Sequence, residues 1–243
     1  MEISEQTLRA LVEGVDDQHR DGMTSMADDI RELHSETRRF RSVTVRSAQH
    51  RRVRRAAGAA AAVTIGSQVL PIHSLLPRAA AASGDAGIAA FAESVELTAV
   101  AAYGAAADSG LVTTPAVLQA AMTFSGHHGE HAAAFGAAAG DAATGMLNQA
   151  LLDALSPGLQ AAKSEKDVVK LAYDLENAAA ATYLFALGAL ESVAELQLTA
   201  SILPVEAQHA VVLGQVIGAD PKTMLPPFET ETAFVDPAKF PVG

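Results

Sequence analysis

Two stretches of the chain carry the same polar signature among otherwise small side chains. In "ELTAVAAY" Glu96 precedes Tyr103 by seven residues, and in "ENAAAATY" Glu176 precedes Tyr183 by seven. Seven residues are two helical turns, so each Glu shares a stripe with its Tyr. The small residues between them let a neighbouring helix approach closely. Each stretch is followed by a polar pair at i, i+3: His128 and His131 in "HHGEH", then Glu206 and His209 in "EAQH". That spacing sets both members of a pair on one helix face. From Glu96 to His131 is 35 residues, and from Glu176 to His209 is 33. The repeat predicts two similar helical hairpins. Folded face to face, they bring Glu96, His128, His131, Glu176, Glu206 and His209 to one interior point. An unpaired carboxylate buried there costs several kcal/mol, comparable to the stability of a whole domain. Pairing of Glu with His meets part of that cost. A divalent cation meets it better, and carboxylates with imidazoles suit iron or manganese.

Capping signals place four helices. The first runs from about Ile88 to Ala107, ending near "DSG". The second opens with Thr114 as N-cap and Pro115 at its first position, and stops at Gly140. The third opens at "SEKD", where Ser164 caps and Asp167 lies three residues on, and runs to about Leu187. The fourth runs from about Val193 to Ile217 with Pro204 inside it, which should bend the helix and free a carbonyl. About 24 residues separate the second helix from the third, too many for a tight turn, and "MLNQALLDAL" within them reads as a short helix. The expected fold is all-α: a four-helix bundle of two hairpins joined by a long crossover. Alanine-rich composition supports helix throughout.

Charge divides the chain. Residues 1–82 hold all 12 Arg and 10 acids, net +2; residues 83–243 hold 5 Lys and 18 acids, net −13. An Arg-free acidic domain is unsuited to gripping nucleic acid. With no Cys, disulfides and thiolate ligands are excluded, so any metal is held by nitrogen and oxygen. Residues 1–37 read as an acidic amphipathic or disordered segment. Residues 38–55 carry eight Arg and no acid, with pairs at 38–39, 51–52 and 54–55. An uncharged run follows at 56–76, then small residues to Ala82. Basic, apolar, then small residues is the layout of an export signal, and the Arg pairs make residues 38–82 twin-arginine-like. This predicts engagement of export machinery, cleavage near Ala82 and an exported mature domain over residues 83–219. The alternative is a membrane anchor at 56–76, which is long enough to span. Residues 220–243 hold five Pro and are expected as an irregular strap.

On "LENAAAATY", "VEAQHAVVLGQVIG" and "HHGEHAAAF", residues 84–220 resemble the ferritin-like domain family, and within it the branch of exported bacterial and desiccation-related proteins. In ferritin-like di-iron proteins each half supplies a Glu on one helix and Glu-x-x-His on the next. The resemblance therefore implies Glu96, His131, Glu176, Glu206 and His209 as ligands. The sixth position falls on His128, where the family pattern has Glu. One acid fewer leaves open two irons, a single metal, manganese, or no metal at all. Tyr103 and Tyr183 are expected to bond ligand carboxylates through their hydroxyls, and His127 to lie behind the ligands or at the surface. The resemblance implies metal-dependent oxidation with oxygen or peroxide, of the oxidase or ferroxidase type. A non-catalytic stress- or desiccation-related binding protein is the alternative. Homo-oligomerisation stays open.

Overall fold

A computed structural model describes residues 3–44, 78–224 and 233–242, with only the backbone described at 26–44 and 78–83. Most of the expected export segment, including the apolar run at 56–76, lies outside the described residues. Every regular element among the described residues is helical. In order they are α1 (Glu5–Thr44), α2 (Arg78–Asp108), α3 (Pro115–Ala139), a 3-10 turn (Gly140–Ala142), α4 (Gln149–Ala161), α5 (Glu165–Leu187), α6 (Val193–Ile217) and α7 (Pro221–Met224).

Four of these helices form the bundle. α2 packs along α3, and α5 along α6, with α3 on α6 and α2 on α5 closing the centre. The core between them is built from Ala, Val and a few aromatics, among them Phe124, Phe135, Tyr103 and Tyr183. Small residues let the helices approach closely, and this leaves room at the centre only for side chains that reach inward.

The helix ends show how the halves lock together. α2 is broken at Gly84, whose φ of 64° and ψ of −164° suit glycine alone. The break sets Asp85 so that its carboxylate accepts from the N–H groups of Glu191 (3.0 Å) and Ser192 (2.5 Å), at the start of α6. In matching fashion, Glu165 at the start of α5 accepts from the N–H groups of Thr113 (2.8 Å) and Thr114 (2.7 Å), at the start of α3. Thr114 thus holds the N-cap position expected of it, but its side chain makes no cap bond. The Glu165 carboxylate, a charged acceptor, satisfies instead the two amides that lead into the helix, those of Thr113 and Thr114 themselves. Ser164 caps α5 as its sequence suggests, accepting from the Asp167 N–H at 3.2 Å. Asp167 does not close a capping box on residue 164; it reaches the Lys163 N–H at 3.0 Å.

The crossover is short of slack. Glu93 on α2 packs directly over Gly136 on α3, where a Cβ would lie 2.6 Å from its carboxylate. The same carboxylate accepts from the Thr144 N–H at 3.0 Å and ties down the chain leaving α3. Asn148 then caps α4 through the Leu151 N–H. It also donates to the carbonyl of Phe240, binding the C-terminal strap to the crossover. Val235 of the strap is buried against Phe91, Val95 and Leu151.

The N-terminal segment does not stop at residue 37. It is one helix of 40 residues, running to Thr44. Its stripe of Leu8, Val12 and Val15 is buried against the bundle, and α1 contacts α3 and α6.

Candidate metal centre

α2 delivers Glu96, α3 delivers His128 and His131, α5 delivers Glu176, and α6 delivers Glu206 and His209. All six side chains are at most 1% exposed. They form two overlapping groups: Glu96, His128, His131 and Glu206, then His128, Glu176, Glu206 and His209. Within each group the candidate ligand atoms lie within 4.8 Å of one another. Glu206 and His128 belong to both. The convergence expected from the repeat is therefore present, and the acid shared between the groups is Glu206.

His128 is engaged at both ring nitrogens. Its Nδ1 lies 2.7 Å from Glu96 Oε2, and its Nε2 lies 3.1 Å from Glu176 Oε1. Carboxylates only accept, so a ring flanked by two of them carries two N–H groups and a positive charge. Burial disfavours that charge, yet Glu176, Glu206 and Glu96 outweigh it and hold His128 protonated well above the usual range. The acids respond in kind. Against their burial, His128 and its neighbours bring Glu96 down to about 2 and Glu176 well below the carboxylate range. Burial also works against charge on His131 and His209. Contacts with Glu206 and Glu96 nevertheless raise His131 to about 9, and Glu176 raises His209.

Glu206 is treated differently from the other acids. Its Oε1 approaches His131 Nδ1 at 2.9 Å, and its Oε2 approaches His209 Nδ1 at 3.5 Å and His128 Nδ1 at 3.8 Å. None of these contacts is directed as a hydrogen bond. Both Glu206 oxygens and His131 Nδ1 are buried without a hydrogen-bond partner. Buried polar atoms are seldom left so, because each costs about 1–3 kcal/mol. Three such atoms, two oxygens and a nitrogen, face one another in a thiol-free set of carboxylates and imidazoles. That is the donor chemistry a divalent transition metal takes, and the residues fit one.

The tyrosines cross over. Tyr103 on α2 donates to Glu176 on α5, and Tyr183 on α5 donates to Glu96 on α2. Each phenol thus serves the acid of the other half, not the one on its own stripe. Burial and the adjoining carboxylates push both phenols upward, so they remain donors.

His127 is not a surface group. It is 3% exposed, and its Nδ1 lies 3.0 Å from His209 Nε2. On its far side Nε2 lies 3.2 Å from Asp16 Oδ1. A second outer histidine was not anticipated: His19 on α1, 5% exposed, whose Nε2 lies 3.1 Å from His131 Nε2. The two outer rings stack 3.8 Å apart at 17°. Burial first, then neighbouring imidazoles, lowers His19 to about 3 and His127 to about 4, so both are neutral near pH 7. The signal for His19 is its spacing, since it continues the stripe of Leu8, Val12 and Val15 one turn further. A cleft lined by His19, Met23, His131, Pro204 and Gln208 opens from the surface onto the His19–His131 contact.

The sequence model of the ferritin-like domain family matches residues 84–219. No curated protein and no solved structure matches the chain.

Proposed function

This chain belongs to the ferritin-like domain family, and from that premise we propose that it binds iron or manganese at the bundle centre and uses the metal for oxidase or ferroxidase-type chemistry. The observation that carries the reading is Glu206, a fully buried carboxylate with neither oxygen hydrogen-bonded. Iron or manganese held by Glu96, His128, His131, Glu176, Glu206 and His209 would supply electrons to oxygen or peroxide. The protein's own part is positional. Glu206, shared by both groups, is the acid able to serve either of two ions. Glu96 and Glu176 are oriented by Tyr183 and Tyr103. His128 must release a proton before it can ligate, so metal uptake frees protons and weakens as pH falls.

Anaerobic purification with metal analysis, followed by stopped-flow oxidation of Fe(II), tests the proposal. Bound metal with rapid oxidation supports it. Absence of bound metal, with oxidation no faster than in buffer, sinks it. A second reading, a non-catalytic binding protein of the stress or desiccation type, draws support from His128. That ring already bridges Glu96 and Glu176 and neutralises them without an ion. Absence of bound metal in a folded chain whose unfolding is unaffected by added Fe(II) or Mn(II) would favour it.

For residues 38–82 the proposal remains export, with the domain crossing as folded cargo. Docking of α1 adds a condition. Cleavage near Ala82 would sever from the bundle a helix whose His19 bonds His131.

A further inference from the structure

Two of the three candidate ligand histidines, His209 and His131, turn Nδ1 inward and hand Nε2 to an outer histidine. His209 Nδ1 lies 3.3 Å from Glu176 Oε2 while its Nε2 meets His127. His131 Nδ1 lies 2.9 Å from Glu206 Oε1 while its Nε2 meets His19. Each outer histidine in turn faces an acid at the surface: Asp16 at 3.2 Å from His127 Nε2, and Glu130 at 3.7 Å from His19 Nδ1. The two chains are interleaved. In Asp16–His127–His209 the acid comes from α1 and the histidine from α3. In Glu130–His19–His131 the acid comes from α3 and the histidine from α1.

The donor inventory sets the direction of each chain. Asp16 can only accept, so His127 carries its proton on Nε2 and leaves Nδ1 bare. A bare Nδ1 accepts from His209 Nε2–H. That leaves His209 Nδ1 as the atom able to exchange its proton for a metal. Glu130, 3.7 Å from His19 Nδ1, is too far for a direct bond but favours the proton on that nitrogen, which leaves His19 Nε2 bare to accept from His131 Nε2–H. Metal-bound histidines are commonly oriented by a partner on the other nitrogen. Here the partner is a neutral imidazole backed by an acid, and one residue of each chain, Asp16 or His19, comes from α1.

We propose that His19 and His127 are positioning residues that fix which nitrogen of His131 and His209 faces the centre, making the N-terminal helix a working part of it. The inference rests on the reading of the central cluster as a metal site. Its test has two parts, both on the full chain. In metal-free protein labelled with 15N-histidine, NMR reads the protonation of each ring nitrogen. The expected pattern is His19 protonated on Nδ1 only and His127 on Nε2 only; the opposite tautomer at either ring overturns the proposal. Co(II) titration then compares His19→Phe and His127→Phe, which keep an aromatic ring but no acceptor, with His19→Gln and His127→Gln, which restore an acceptor oxygen. The Phe variants should bind Co(II) about 10- to 100-fold more weakly, with altered visible absorption, and the Gln variants should recover both. Equal Co(II) binding by the Phe variants and the unaltered chain overturns the proposal. Should the unaltered chain bind no Co(II), the metal reading itself fails, while the ring-nitrogen spectrum still decides the polarity of the chains.

Discussion

His128 and Glu206 hold matching places in the two halves of the bundle, three residues before His131 and His209. Their surroundings are opposite. His128 bonds carboxylates through both nitrogens, whereas Glu206 has neither oxygen hydrogen-bonded. Around them the halves agree: tyrosines reach across to the opposite Glu, and an acid just past the break in α2 or at the start of α5 binds amides leading into the other half's second helix. The difference teaches where the centre is already neutralised and where it is not. One half carries its own cation in His128. The other presents an acid still lacking a partner of matching geometry.

The sharpest way to break this comparison is to remove each residue in turn from the metal-free protein. His128→Leu leaves Glu96 and Glu176 facing an apolar side chain, and should cost about 3–5 kcal/mol. Glu206→Gln should cost less than about 2 kcal/mol, because His131 and His209 can shed protons whereas the two acids resist taking them up. Denaturant unfolding of both variants checks this, and equal losses would end the distinction. The pH profile carries the same signature. Glu96, lowered from 4.5 to about 2, stabilises fully above pH 4.5 and loses that contribution as pH falls toward 2. His131, raised from 6.5 to about 9, stabilises fully below pH 6.5 and loses it as pH rises through 9. The contribution of this pair is therefore greatest between pH 4.5 and 6.5. His128→Leu should erode its acid side.

Next in size is the substitution that makes the halves alike. His128→Glu removes the internal cation and adds a fourth acid. The metal-free variant should melt below the unaltered chain, and Mn(II) should raise its melting temperature by more. Saturation at a hundred times the Kd is worth about 2.7 kcal/mol, readable by thermal unfolding with and without Mn(II). An equal Mn(II) effect in both proteins would mean that His128 does not set the charge of the site.

Much of this centre was legible in the sequence because its geometry is intrahelical. Glu96 to Tyr103 and Glu206 to His209 are fixed by helical pitch, and the repeat supplied the rest of the pairing. The bounds of α3 and α5 followed from Pro115 and Ser164 for the same local reason. What escaped was set by tertiary contact. No spacing rule shows that Tyr103 serves Glu176, that Glu165 binds the amides of Thr113 and Thr114, or that α1 docks on the bundle. His19 lay on a readable apolar stripe, but a single histidine there is as compatible with a solvent-facing turn until the helix has a partner.

A smaller effect tests the agreement between the halves. Tyr103→Phe and Tyr183→Phe each strip one donor from a buried carboxylate without opening a cavity. Each should cost about 1–3 kcal/mol, and the two losses should match in metal-free protein. Unequal losses would show that the exchange of hydroxyls between α2 and α5 is not a shared device, and that the asymmetry at His128 spreads beyond its own contacts.

The smallest expected effect lies furthest from the centre, at the helix ends. Asp85→Ala frees the amides of Glu191 and Ser192, and Glu165→Ala frees those of Thr113 and Thr114. Loss of a side-chain cap costs about 1 kcal/mol, and the two variants should fall by similar amounts in thermal unfolding. Glu165 is held below the usual carboxylate range because the Thr114 and Thr113 amides outweigh its partial burial. Its contribution is therefore complete above pH 4.5 and fades as pH drops below that. Fe(II) or Mn(II) affinity should not change in either variant, since neither residue touches the central cluster. A change in affinity would mean that the helix ends and the centre are mechanically coupled, and that the two halves cannot be compared one residue at a time.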